Sequence, residues 1–319
     1  MRDRRERLLG AIWGQFVGDA LALGSHWHYN LAERARLYPN GIHGFERPVE
    51  GHYHAGREPG DPTHYGDAAL VLLRSVAQAG RADPQDYGAR FVALFGDASY
   101  RGYLDKPTRL TVQAWRDHVR DHPDEPFDFQ HGADDHQNVT TSRLAPVVVR
   151  HADDPGLDGI VRRIVRVCQD NAEAIAHAQV HSWILRRLFH GEELEPALFS
   201  VLDGGDGPLP DGLAQRWRDV QAMRGQSVVE ATGEFGRACY LSSSFPATLH
   251  TALRHGDEPE TALLECVRAG GDNASRAAVL GAWLGAAHGL DAIPEAWRQR
   301  LTHKAEIARL AEAVVQAAA

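Results

Sequence analysis

Two runs of glycine at four-residue spacing restrict this chain more than any other feature. Gly10, Gly14 and Gly18 fall in LLGAIWGQFVGDALALG, and Gly281, Gly285 and Gly289 in AAVLGAWLGAAHG, so each set lies along one helical face. Glycine inside a helix costs about 1 kcal/mol relative to alanine, so such positions require a compensating gain. Close approach of a neighbouring backbone supplies one. Two buried helices are therefore expected. They pack either against each other, bringing Asp19 and Asp272 into one region, or each against a different neighbour.

The remaining sequence reads as helices separated by Gly-, Pro- and His-rich loops, with almost no period-two alternation, which predicts an all-α fold. Asp83-Pro84 sets a cap and a first-turn proline before QDYGARFVALFG, and Asp257 with Glu260 resembles a capping box before TALLECVRA, stopped at Gly270. Three longer loops, 39–66, 120–139 and 203–212, interrupt the helices, but no low-complexity linker divides the chain. One domain over residues 1–319 is expected, and 43% hydrophobic content gives it an ample core.

The net charge of −9, with both signs interspersed, disfavours a surface that tracks a nucleic-acid backbone. Cys168, Cys239 and Cys266 are odd in number and widely spaced, which fits a reducing compartment better than a disulfide framework. The first residues superficially resemble a signal peptide, yet Asp3 and Glu6 spoil the basic flank and Gln15 and Asp19 interrupt the apolar part. No apolar run approaches the roughly 18 residues of a membrane span. The expectation is a cytoplasmic protein that does not enter a membrane.

Candidate chemistry begins with Asp67 in THYGDAALVLL and Asp272 in GGDNASRAAVLG. Each opens an apolar helix, where an aspartate ordinarily accepts a hydrogen bond from a first-turn N–H. The likeness of the two junctions, each preceded by glycine, raises both to candidate site residues. The eighteen histidines include two H-x-H pairs, His26-Trp27-His28 and His52-Tyr53-His54. Spacing assigns these no third ligand, so they read as exposed polar residues and not as a dedicated zinc site. Trp13 and Trp283 read as core.

The order GAIWGQFVGDALALG, THYGDAALVL, NVTTSRLAPV and GGDNASRAAVLGAWLGAAHGLDAIPEAW resembles the ADP-ribosylglycohydrolase family, also called dinitrogenase reductase activating glycohydrolase-like. The resemblance covers nearly the whole chain and implies a domain of a dozen or more helices. It also implies two magnesium or manganese ions in a central cleft and cleavage of the bond between ADP-ribose and an acceptor. The family's Thr-Asp-Asp-Thr motif falls on Tyr65-Gly66-Asp67-Ala68, and its Gly-Gly-Asp-Thr-Asp-Thr motif on Gly270-Gly271-Asp272-Asn273-Ala274-Ser275. An acidic residue usual near the first segment falls on His26.

Paired dications repel strongly unless several carboxylates surround them. Gly66 and Ala274 supply no side-chain oxygen, so the expectation is one magnesium or manganese ion at most, or none. Asp67, Asp272 and Ser275 are its candidate ligands. Asp67, Asp272, His26 and His64 are the candidate catalytic residues, the histidines as acid or base. Asn138 and Arg143 resemble the family's loop that contacts ribose and diphosphate, and Asn273 and Asp19 complete the candidate substrate contacts. Asp134 and Asp135 read as members of a solvated loop. The implied function is a glycohydrolase-like enzyme acting on an ADP-ribosyl or related N- or O-ribosyl linkage, in a small molecule or an ADP-ribosylated partner. The alternatives are a hydrolase of another N-glycoside or nitrogenous substrate, and a metal-poor nucleotide-binding or structural member without turnover.

Overall fold

The two glycine ladders meet each other. In the computed structural model, which describes residues 3–318, a methyl group added at Gly14 would strike the Gly281 carbonyl, and one at Gly281 the Gly14 carbonyl. Gly10 opposes Gly285 in the same reciprocal way, and Gly18 opposes the backbone of Ala277. The two helices therefore run antiparallel with backbones in contact, a distance that only glycine permits. Gly289 does something else: it ends its helix at φ +81°, in the left-handed region that glycine enters without strain.

These two helices are the first and fourteenth of sixteen α-helices among the described residues. The order is α1 (Arg4–Ala22), α2 (Leu31–Leu37), α3 (His64–Ala79), α4 (Pro84–Phe95), α5 (Lys106–Asp121), α6 (Ala145–Arg150), α7 (Leu157–Arg166) and α8 (Ala172–Phe189). There follow α9 (Leu194–Leu202), α10 (Leu213–Ala222), α11 (Val228–Phe235), α12 (Leu241–His255), α13 (Pro259–Arg268), α14 (Asn273–His288), α15 (Glu295–Arg300) and α16 (Lys304–Gln316). The fold is all-α, as the periodicity predicts.

Burial follows from composition. Every residue of α1 from Arg7 to Ala22 and of α14 from Asn273 to Ala287 is buried, the state of a helix that is apolar on all faces. By length and composition α1 could cross a bilayer, but its apolar stretch lies wholly inside the protein. Around this pair, amphipathic helices such as α3, α7 and α8 turn one face inward. The result is one apolar core with members from Leu8 to Val315.

The cap before α4 forms as read: Asp83 accepts hydrogen bonds from Gln85 and Asp86, and Pro84 occupies the first turn. The capping box before α13 does not. Pro259 takes the first helical position, which moves the boundary to Glu258 and leaves Asp257 outside. The irregular segment 38–63 folds back over the ends of α1, α3 and α14 and contributes side chains to the candidate site.

Candidate functional site

Two consecutive glycines set up the site. Gly270 (φ +76°) and Gly271 (φ +65°) both occupy the left-handed region, and a methyl group at Gly271 would strike the Arg237 carbonyl. This turn lets Gly271 accept from Trp27 N–H at 2.8 Å and donate to the His28 carbonyl at 3.0 Å. The segment after α1 is thereby pinned to the entrance of α14, and His26 is brought against Asp272 and Asn273.

Asn273 fixes the histidine. Its Nδ2 donates to Ser25 Oγ and to the Val267 carbonyl, both at 2.9 Å, so its Oδ1 is the atom 3.2 Å from His26 Nδ1. An amide oxygen only accepts, so the closer contact, with Asn273, puts the proton on Nδ1 and the lone pair on Nε2. The Ala274 N–H points at the same Nδ1 from 3.4 Å and favours the other tautomer, with Nε2–H facing Asp272. His26 Nε2 has no hydrogen-bond partner and lies 3.4 Å from Asp272 Oδ1, which has none either. Both side chains are fully buried.

Asp272 is thus not an ordinary cap. Its side chain accepts no first-turn N–H; Oδ2 accepts instead from Ser275 Oγ at 2.6 Å. Burial pushes its pKa up to about 6, against the opposing pull of Ser275, Arg276 and Tyr65.

Two more histidines converge on the same point. His54 comes from the 38–63 segment and His64 from the first turn of α3, and His26, His54 and His64 are 0%, 1% and 3% exposed. One ring nitrogen from each lies within 4.8 Å of those of the other two. Burial, joined by the neighbouring histidines, holds His26 and His64 well below the usual histidine range, and burial brings His54 down to about 3. All three are neutral imidazoles at physiological pH. His64 Nε2 stands 3.5 Å from Asp105 Oδ2, while Asp105 Oδ1 caps α5 through Thr108 N–H. Trp27 lies over the cluster, its ring 4.2 Å from His26 and 5.1 Å from His64, and meets Tyr53 and Tyr103 edge-on. Its φ of +60° is the one left-handed value at a non-glycine among the described residues, a strained position for a bulky side chain.

The other candidate residues sit elsewhere in the hydrogen-bond network. Asp67 is engaged at both oxygens: Arg57 grips it in a fork, with 2.5 Å to Oδ2, and Tyr100 donates to Oδ2 at 2.7 Å. Asp19, 2% exposed, accepts from the Thr63 amide at 2.8 Å and from its hydroxyl, anchoring the start of α3. Arg143 is fully buried, donating to the Val139 carbonyl and Tyr87 Oη over the Phe91 ring. Asn138 is equally buried, and its side-chain amide has no hydrogen-bond partner among the described residues. Asp135 is not a solvated loop residue: it is 4% exposed and accepts from Gln137 and Gln169, while Asp134 accepts from Asn171.

This donor set does not suit a pair of hard cations. Three imidazoles converge here and His26 alone is shown beside the free Asp272 oxygen, whereas magnesium takes oxygen donors and keeps its water. A methyl group at Gly66 would already strike Asp19 Oδ2, so a second acid in that motif has no room beside Asp19. Sequence reading found His26, His64 and Asp272 but passed over His54, Arg57, Tyr100 and Asp105. It also read the H-x-H pairs as exposed, whereas His26 and His54 are among the most buried side chains. The available signal was that one H-x-H pair lies inside the 39–66 loop, THYGD closes that loop, and the other H-x-H pair precedes it by one short helix.

A family model described as ADP-ribosylglycohydrolase matches residues 1–319. Among curated proteins, the chain is 26% identical over 321 residues to crystallin J1A of Tripedalia cystophora, covering 97% of this chain and 96% of that protein. Crystallin J1B of the same organism is 24% identical over 323 residues, covering 98% and 97%. ADP-ribosylhydrolase ARH3 of Mus musculus is 32% identical over 126 residues, only 35% of this chain and 34% of that one. A solved structure described as an ADP-ribosylglycohydrolase-related protein complex superposes with TM-score 0.71 at 25% identity over 100% of both chains.

Proposed function

We propose that this chain, which belongs to the ADP-ribosylglycohydrolase family, hydrolyses an ADP-ribosyl or related N- or O-ribosyl linkage where the entrances of α3 and α14 meet the 38–63 segment. The observation that carries this reading is the Asp272 carboxylate, fully buried, with Oδ1 unengaged beside His26. A fixed anion in a water-poor site stabilises the positive charge that develops on a ribose ring as its glycosidic bond breaks, and the same oxygen can orient the attacking water. His26 and His64 are neutral and keep a lone pair that can accept a proton from that water, with a basicity that burial lowers. The buried Asn138 side-chain amide, unbonded among the described residues, can bond a polar group of the substrate. Magnesium or manganese has no part in this reading, because the donors do not suit it. The substrate is a small molecule or an ADP-ribosylated partner, and the three free thiols fit the cytoplasm.

The test is release of ADP-ribose from ADP-ribosylated peptides and small ADP-ribosyl conjugates, followed by chromatography. Wild type should release it, and Asp272→Asn should stay folded while losing about tenfold or more in turnover, since the charge and not the shape is removed. A second reading, a family member without turnover, is favoured by the aromatic rings closed over the histidines and by the name crystallin on both full-length relatives. Two of the larger surface cavities, about 650 and 710 Å³, are lined by other elements, around Arg7 and around Trp217. Folded wild type that releases nothing from any of these substrates selects the second reading.

A further inference from the structure

From the convergence of His26, His54 and His64 beside Asp272 Oδ1 we infer that this centre binds one borderline transition-metal dication of the zinc class, in place of the hard-cation pair usual in the family. Buried polar atoms are almost always hydrogen-bonded, because a desolvated donor or acceptor without a partner is costly. Here five ring nitrogens have no hydrogen bond: Nε2 of His26 and both nitrogens of His54 and of His64. One nitrogen from each ring lies within 4.8 Å of those of the other two, and His26 Nε2 lies 3.4 Å from Asp272 Oδ1, which has no hydrogen bond either.

The tautomer set by Asn273 sharpens the point. In that tautomer the lone pair of His26 Nε2 faces the Asp272 carboxylate at 3.4 Å, two electron-rich atoms that a cation would join; in the other, Nε2–H faces the carboxylate and metal uptake releases that proton. Around a tetrahedral zinc with bonds of about 2.0–2.1 Å, donor atoms stand about 3.4 Å apart; the ring nitrogens, within 4.8 Å of one another, close to that spacing by modest side-chain shifts. Imidazole nitrogens select zinc, cobalt, nickel or copper over magnesium. Asn273, bonded to His26, and Asp105, 3.5 Å from His64 Nε2 without a hydrogen bond, stand where outer partners orient metal-binding histidines. Asp272 offsets one of the two positive charges.

Metal uptake is measured without substrate, so this inference and the hydrolysis reading fail separately; with the metal bound, the ligating nitrogens of His26 and His64 would no longer accept a proton, and the metal would supply the activation of water instead. Chelator-treated protein is titrated with Zn²⁺ in a calorimeter and with Co²⁺ by visible absorption. One equivalent per chain should bind, with a cobalt spectrum typical of four-coordinate nitrogen and oxygen donors, and excess Mg²⁺ should not displace it. His54→Gln, in a loop and checked by circular dichroism, should weaken binding by more than the roughly 10–100-fold that loss of an outer-shell partner costs. His131→Gln, at an exposed position, should change nothing. X-ray absorption on zinc-loaded wild type requires no variant and should show three imidazoles with one or two oxygens. Failure to take up either metal, uptake unaltered by His54→Gln, or a zinc shell with fewer than three imidazoles overturns the inference.

Discussion

Asp272 and Asp19 are both fully buried carboxylates, and they differ in what meets them. Asp272 keeps one oxygen without a hydrogen bond, whereas both oxygens of Asp19 are bonded by Thr63. Burial is the largest influence on Asp19 and raises its pKa to about 7; Thr63 and Arg57 oppose the rise and Asp67 adds to it. A carboxyl whose folded pKa is raised binds its proton more tightly in the folded chain, so its contribution to stability is full below the unfolded value near 3.8 and is lost as pH rises through about 7. Asparagine does not ionise. The melting temperature of Asp19→Asn relative to wild type should therefore climb between pH 4 and pH 7 and level off above, a swing on the order of a few kcal/mol. A difference that stays constant with pH would mean that Asp19 is an ordinary carboxylate. Nothing in the sequence distinguishes these two aspartates from Asp67, because all three begin or end apolar helices. What separates them is Arg57, a residue ten positions from Asp67 in a loop with no periodicity to read.

At the scale of elements, the ladder spacing gave away the close packing of α1 and α14 but not which partner each would take. Both alternatives satisfy the same periodicity, and only three-dimensional convergence decides. The third glycine of the second ladder was legible as glycine but not as a helix terminator, since a left-handed end and a close contact both select the same residue. Gly14→Ala is the direct probe. Alanine favours a helix by about 1 kcal/mol, but its methyl group meets the Gly281 carbonyl, a main-chain atom that cannot swing aside. Overpacking of this kind costs about 1–3 kcal/mol or more, so denaturant titration should show a net loss. Gly159→Ala in α7 is the control, because its new methyl group would have only Arg163 Nη1 nearby, at an ordinary 3.6 Å; it should be neutral or slightly stabilising. Equal effects at the two positions would remove backbone contact as the reason for the ladder.

Across the whole molecule, the fold class was plain from helical periodicity, whereas the histidine cluster was not. His26, His54 and His64 come from three segments with different local roles, and metal-ligand spacing rules apply only where ligands share a turn or a helix. The resemblance to a family marked His26 and Asp272 by position, and His54 had no counterpart to mark it. The antiparallel pairing of α1 with α14 also imposes an order on synthesis. The ribosome makes α1 first, yet its partner face is complete only about 250 residues later, on the order of ten to fifty seconds at usual elongation rates. Through that interval a helix apolar enough to cross a bilayer has nowhere to bury its glycine face. A chain stopped just before Asn273 should stain strongly with a hydrophobic dye and be cut rapidly by protease, while the full chain resists both. If the shortened chain proves as dye-silent and resistant as the full one, α1 has found another cover. Otherwise the nascent protein depends on a chaperone, or on speed, until its fourteenth helix emerges.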